Sequence, residues 1–129
     1  MSTRRHLFLP PAARTIVMDH VLRENQQRMN LHCAVVMPDH VHLLFTIRAN
    51  GEKDYPLADI MHGIRGASAH RINRLLQRKG QVWEEEFFDR LLRFGEFEPT
   101  VEYICFNPVK AELVSAVEEY EWLWIAPYV

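Results

Sequence analysis

Two apolar runs around a Pro-Asp pair constrain this chain most: "LHCAVVM" at 31–37 and "HVHLLFTI" at 40–47. Each has the length of a strand, and two turn-forming residues between them predict an antiparallel hairpin. Side chains alternate across a strand. Val41, Leu43 and Phe45 therefore share one face, and His40 and His42 share the other. The apolar set reads as core. Two imidazoles side by side on the opposite face cost strand stability unless something uses them. A His-x-His pair also occurs as two partly exposed rings with no task. Two imidazoles rarely hold a divalent ion alone, so a metal site would need a third ligand elsewhere.

The rest of the chain arranges itself around that hairpin. "RRHLFL" (4–9) predicts a short first strand. Pro10 and Pro11 then open a helical pattern reaching about Arg28, with Pro11 suited to a first turn. "ANGEKDYP" (49–56) reads as a loop. From Leu57, apolar residues recur at Met61, Ile64, Ile72 and Leu75, with Ser68 filling the gap, which is helical spacing. Lys79-Gly80 is the expected end of that helix. "VWEEEFFDRLLRF" (82–94) fits strand or helix, and its aromatics favour a strand at least from Phe87 on. Gly95 breaks the chain, and Pro99 sits near a helix start. "TVEYICFN" (100–107) predicts a short helix limited by Pro108, because the residue before a proline is pushed from helical geometry. "VKAELVSAVEEYEW" has room for another turn or two, and "WLWIAPYV" is an apolar tail expected to dock on the core.

The order strand, helix, strand, strand, helix, strand is the ferredoxin-like βαββαβ plan of an α+β domain, here with an added C-terminal helix. Both crossover helices then cover one face of an antiparallel sheet. The added helix is free to lie over the other, where His40 and His42 point.

A length of 129 residues suits one compact domain, 1–129. No apolar run approaches the ~20 residues of a membrane span. Pro10 and Pro11 interrupt the N-terminal apolar patch, which is short for a secretory signal, so a cytoplasmic protein is expected. Cys33 and Cys105 lack a metal-type spacing and are expected to be reduced, buried thiols. The net charge of −2 with neutral histidines is unlike a typical nucleic-acid binder. The sum hides a strip: Arg65, Arg71, Arg74, Arg78 and Lys79 fall in 65–79 with no acid between them.

Two further segments carry candidate chemistry. In "EYICFNPVKAELV" (102–114), Tyr103 and Asn107 are four apart and share a helix face if the helix persists. Either could equally be structural, as a core aromatic and a helix-end residue. In "INRLLQRKGQVWEEEFFDRLLR" (72–93), a basic helix end, a Gly turn and Trp83 could track phosphates and stack on a base. A solvated helix face followed by an ordinary strand fits the same residues.

Together these segments resemble one family. "VMPDHVHLLF" resembles the "MPNHVHLL" segment of the bacterial single-tyrosine HUH transposases. "YICFNPVKAELV" is similar to their tyrosine segment, "YIxxNPVKAGLV". "RINRLLQRKGQVWEEEFFDRLLR" is similar to the intervening "NxxxxxxGxVWQxxFxDRxxR". Asn four residues after Tyr, followed by Pro, resembles the branch of REP-associated tyrosine transposases. The resemblance covers about Leu31 to Val114. Asp39 stands where Asn is common, and Glu112 where Gly is usual, which raises the question of whether the backbone there keeps its path. Glu84, Glu85 and Glu86 stand where relatives are neutral or basic, and so near a DNA groove would repel phosphate.

The resemblance implies an enzyme that nicks and rejoins single-stranded or hairpin (REP-like) DNA. Tyr103 would be the nucleophile, forming a 5′-phosphotyrosine link. His40, His42 and Asn107 would hold a divalent ion, Mg²⁺ or Mn²⁺. Arg65, Arg71, Arg74 and Lys79 would meet phosphates; Trp83 would stack on a base, although a buried tryptophan fits that position equally well. The protein would be cytoplasmic and nucleoid-associated, a monomer or a homodimer. A domesticated DNA-binding regulator that no longer cleaves is the alternative. A metalloenzyme unrelated to DNA is a third reading, but it leaves the basic strip without a use.

Overall fold

The computed structural model describes the backbone of residues 2–5, 8–88 and 95–127 and the side chains of 8–83 and 95–127. The elements are β1 (Ser2–Arg5), α1 (Pro11–Glu24), β2 (Met29–Val36), β3 (His40–Ile47), β4 (Ala49–Asn50), β5 (Lys53–Asp54), α2 (Leu57–Leu75), β6 (Trp83–Phe88), α3 (Phe97–Lys110) and β7 (Leu123–Ile125), with a 3₁₀ turn at Val117–Glu119. Five strands form one sheet in the order β6-β1-β3-β2-β7, with every pairing antiparallel. The first four strands of that order have the ferredoxin-like arrangement. β4 and β5 form a separate two-residue hairpin in the segment expected to be a loop.

β2 and β3 pair from Met29↔Ile47 to Val36↔Val41, and the register shifts between Leu31 and Cys33. His32 is the extra residue of this bulge, which reverses the alternation along β2. Leu31 therefore faces the same side as Ala34 and Val36, and joins Val41 and Leu43 in the main core with Ile16, Val17 and Val21 of α1 and Ile60, Ile64 and Ile72 of α2. Cys33 and Val35 face the other side, where Leu44, Met37, Ile104 of α3 and Tyr120 form a second cluster. The Tyr120 hydroxyl donates to the Val36 carbonyl at 2.5 Å. Both cysteines are free and buried, and burial beside Cys105 pushes the Cys33 thiol up to about 12, so it stays protonated.

Several element ends differ from those expected. The first strand is Ser2–Arg5 rather than 4–9, because its ladder partners are His40, Val41 and His42. α1 stops at Glu24, four residues early. The Asn25 amide oxygen accepts the Leu31 N–H at 2.7 Å, and Gln26 takes φ 69°. α2 ends at Leu75 rather than at Lys79-Gly80. Gln77 supplies the left-handed residue, with φ 52°, and the Arg78 N–H reaches back to the Asn73 carbonyl at 3.0 Å. β6 is a strand already from Trp83, so the run ambiguous between strand and helix is a strand over its described part; residues 89–94 of that run lie outside the described residues. The apolar tail does dock, as β7 against β2.

α3 runs through Pro108 to Lys110. The expected stop at Asn107 is therefore corrected. Pro108 forfeits one backbone bond, but it sits in the last turn, and Ala111 N–H still closes on the Asn107 carbonyl at 2.9 Å. Glu112 then takes φ 61°. Its N–H meets the Val109 carbonyl at 2.9 Å and that of Leu113 meets Pro108 at 3.0 Å, a Schellman ending. Glu112 thus adopts the conformation that glycine adopts at no steric cost.

Candidate active site

Two backbone bonds brace the Pro38-Asp39 turn. The Met37 N–H donates to the His40 carbonyl at 2.8 Å, and the Leu9 N–H donates to the Pro38 carbonyl at 2.9 Å. β3 leaves this turn directly, so its first residue is held in place. The rings of His40 and His42 stand nearly perpendicular, with centroids 4.7 Å apart. Asp39 Oδ1 lies 2.7 Å from His40 Nδ1. Burial, reinforced by the neighbouring His40, pushes His42 down to about 4, so its ring is neutral at physiological pH. A neutral imidazole keeps a lone pair for a Lewis acid.

α3 crosses the same sheet face, anchored by Ile104 and Cys105. Tyr103 is the residue before that anchor and is 58% exposed. Its ring meets His42 edge-on, with centroids 6.2 Å apart. Because α3 is continuous, Asn107 follows on the same face one turn later, half-buried. Lys110, two turns from Tyr103, holds its ammonium 5.8 Å from the Tyr103 ring centroid. Neither Lys110 nor Asp39 was singled out as a site residue from sequence. The 103–110 spacing of two helical turns was the available signal for the lysine, and adjacency to His40 was the signal for the aspartate.

The basic strip is elsewhere. α2 packs on the main core, so its outer surface lies on the far side of the sheet from His40, His42 and Tyr103. Arg74 and Lys79 are exposed and line a groove of about 410 Å³ with His70, Asn73, Gln77 and Arg78. Arg71 is engaged: its Nη1 lies 3.2 Å from His20 Nε2 and 3.9 Å from Asp19. Arg65 is half-buried, and that burial pulls its guanidinium down from its usual range. Trp83 is 4% exposed, and its indole N–H donates to Ser68 Oγ at 3.1 Å. A ring buried in the core offers no face to a base, so the stacking role expected of Trp83 is corrected. The side chains of Glu84–Glu86 lie outside those described.

Among the described residues no helix is long and apolar enough to cross a membrane, and no three His, Cys, Asp or Glu side chains cluster as a metal would need. Among the described residues, a third ligand beside His40 and His42 would be of another type, such as the Asn107 amide.

No curated protein matches the chain. A solved structure described as "Structure of the REP associates tyrosine transposase bound to a REP hairpin" is similar in fold, with a TM-score of 0.75 at 16% identity over 95% of this chain and 72% of that one. The family model described as "Transposase IS200 like" matches residues 4–104, from β1 through Tyr103 in α3. A match over that much of the chain, through the His-x-His strand and the tyrosine helix, places the protein in the IS200-like transposase family.

Proposed function

We propose that this transposase-family protein cuts and rejoins single-stranded or hairpin DNA through Tyr103, as a member of the REP-associated tyrosine branch. The observation that carries the reading is the ring contact between Tyr103 on α3 and His42 on β3, beside His40. Two segments distant in sequence, the Asp39–His42 stretch and α3, supply a turn carboxylate, two imidazoles and a phenol at one place. The solved structure similar in fold has a REP hairpin bound, which supports DNA of that class as substrate.

The donor set fits a divalent ion. His40 and His42 offer two imidazoles on one face, and Asn107 offers an amide oxygen on the facing helix; mixed N and O donors suit Mn²⁺ and Mg²⁺. Bound there, the ion would act as a Lewis acid on the scissile phosphate. The chain's own residues do the rest. Tyr103 Oη attacks phosphorus in line, the bond to the 3′-oxygen breaks, and the products are a 5′-phosphotyrosine and a 3′-hydroxyl. The phenolic proton leaves to solvent and the departing 3′-oxygen gains one. The Lys110 ammonium, 5.8 Å from the Tyr103 ring centroid, puts a positive charge beside the nucleophile that would favour the charge growing on the phosphoryl oxygens. The reverse attack by a 3′-hydroxyl reseals the strand without a nucleotide cofactor.

Phosphates of a stem would lie against Arg74 and Lys79, on the other side of the sheet from the chemistry. A strand that serves both must pass around a sheet edge. The test is incubation with a labelled hairpin library and Mn²⁺, followed by a denaturing gel. A covalent adduct that maps to Tyr103 is expected. Hairpin binding with no adduct under any divalent ion would overturn cleavage and favour the non-cleaving regulator.

A further inference from the structure

Asp39 is 75% exposed at its side chain, yet its carboxylate sits 2.7 Å from an imidazole nitrogen of the next residue. Exposed carboxylates seldom hold a fixed geometry, because solvent competes and side-chain freedom is lost. Here the geometry is fixed from below. The turn is pinned by Met37 to His40 and by Leu9 to Pro38, and the His40 ring is pinned against His42. Neither partner has far to move.

An ionised carboxylate can only accept a hydrogen bond. His40 Nδ1 must therefore carry the proton that joins them. A neutral imidazole has one N–H, so the lone pair is left on Nε2. We infer that Asp39 is a positioning residue for His40, holding the ring in the Nδ1–H tautomer so that Nε2 serves as a ligand atom. The inference rests on the proposed metal-assisted chemistry. It adds that the ligand is prepared before an ion arrives, by a carboxylate behind the imidazole. An asparagine at this position would supply an acceptor oxygen without the negative charge.

The test uses the full chain with Asp39→Ala and Asp39→Asn. Long-range ¹H–¹⁵N spectra of the metal-free protein read the His40 tautomer, and calorimetry with Mn²⁺ reads affinity. In the wild type, His40 is expected as the Nδ1–H form. Asp39→Ala is expected to lose that preference and to weaken Mn²⁺ about 10- to 100-fold. Asp39→Asn is expected to keep the tautomer and to bind with intermediate affinity. It preserves the turn if the alanine variant fails to fold, and affinity equal to wild type in it would overturn a role for the charge. An unchanged tautomer and unchanged Mn²⁺ affinity in Asp39→Ala would overturn the inference while leaving the metal reading intact. A tautomer that follows Asp39 in a wild type that binds no Mn²⁺ would uphold the positioning and overturn the metal reading.

Discussion

Tyr103 and His42 meet across the space between α3 and β3, with ring centroids 6.2 Å apart and planes 78° from parallel. One partner is exposed on a helix and the other is neutral and half-buried on a strand. Such a pair adds little to stability, since edge contacts between rings contribute on the order of 1 kcal/mol. Its value lies in placing a phenol beside imidazoles.

Tyr103→Phe should therefore leave the fold unchanged and abolish the covalent adduct. Tyr120→Phe should do the reverse. Its hydroxyl is the donor to Val36, and losing a buried hydrogen bond costs about 1–3 kcal/mol. Paired thermal melts and adduct gels separate the two. An adduct that persists in Tyr103→Phe would remove that residue as nucleophile.

How much of this was legible in the sequence depends on the interaction that decides each feature. The face shared by His40 and His42 follows from a period of two, which a flat stretch of strand obeys. The face shared by Tyr103 and Asn107 depended on α3 surviving Pro108. Local preference argues against that, but the lost bond falls at a helix end, where it costs least. Lys79-Gly80 looked like the natural stop for α2 because glycine favours the left-handed cap. Gln77 takes that position instead, in a turn that Asn73 closes by donating to the Gly80 carbonyl and accepting from Arg78. Trp83 follows a glycine turn in a basic context and so resembles a stacking residue. Only the position of Ser68 across the core shows why it is buried. Charge patterning revealed the strip, and the crossover plan put it on the sheet face away from His40 and His42, where α2 packs.

Glu112→Gly should stabilise the protein. Glu112 holds φ 61° at the end of α3, where a side chain costs about 1 kcal/mol relative to glycine. A rise in thermal midpoint of roughly 3–5 °C is expected, with adduct formation unchanged. A fall in midpoint would mean that the glutamate makes a contact outweighing its backbone strain.

Stability should depend on pH through His42. Its folded-state value is about 4, below the ordinary 6.5, chiefly because burial disfavours the charged ring. The unfolded chain binds the proton that the folded chain refuses. The stability contribution is thus complete above about pH 6.5 and is lost as pH falls toward 4. His20 and His32 are shifted in the same direction by burial and add to the trend. Urea unfolding in chelator should show the loss, on the order of 1–2 kcal/mol for His42 after allowance for its partial exposure. His42→Gln should flatten the curve, and an unflattened curve would assign the dependence to other histidines.

Arg74 and Lys79 should contribute to DNA affinity without contributing to the fold. Both are exposed, and among the described residues neither has an ion-pair partner. Arg71 differs, because its guanidinium bridges α1 and α2 through His20 and Asp19. Replacing Arg74 and Lys79 together with alanine should weaken hairpin binding across sequences and leave the melting point within error. Each phosphate contact contributes about 0.7–0.9 to the slope of log K against log salt. The double variant should therefore flatten that slope by about 1.5. Arg71→Ala should lower the melting point, and any loss of binding should follow the loss of fold. Fluorescence anisotropy over a salt series, with melts on the same samples, checks both. An unchanged slope in the double variant would place the DNA on another surface. An Arg71→Ala protein that melts normally but binds weakly would make Arg71 a phosphate contact and the bond to His20 incidental.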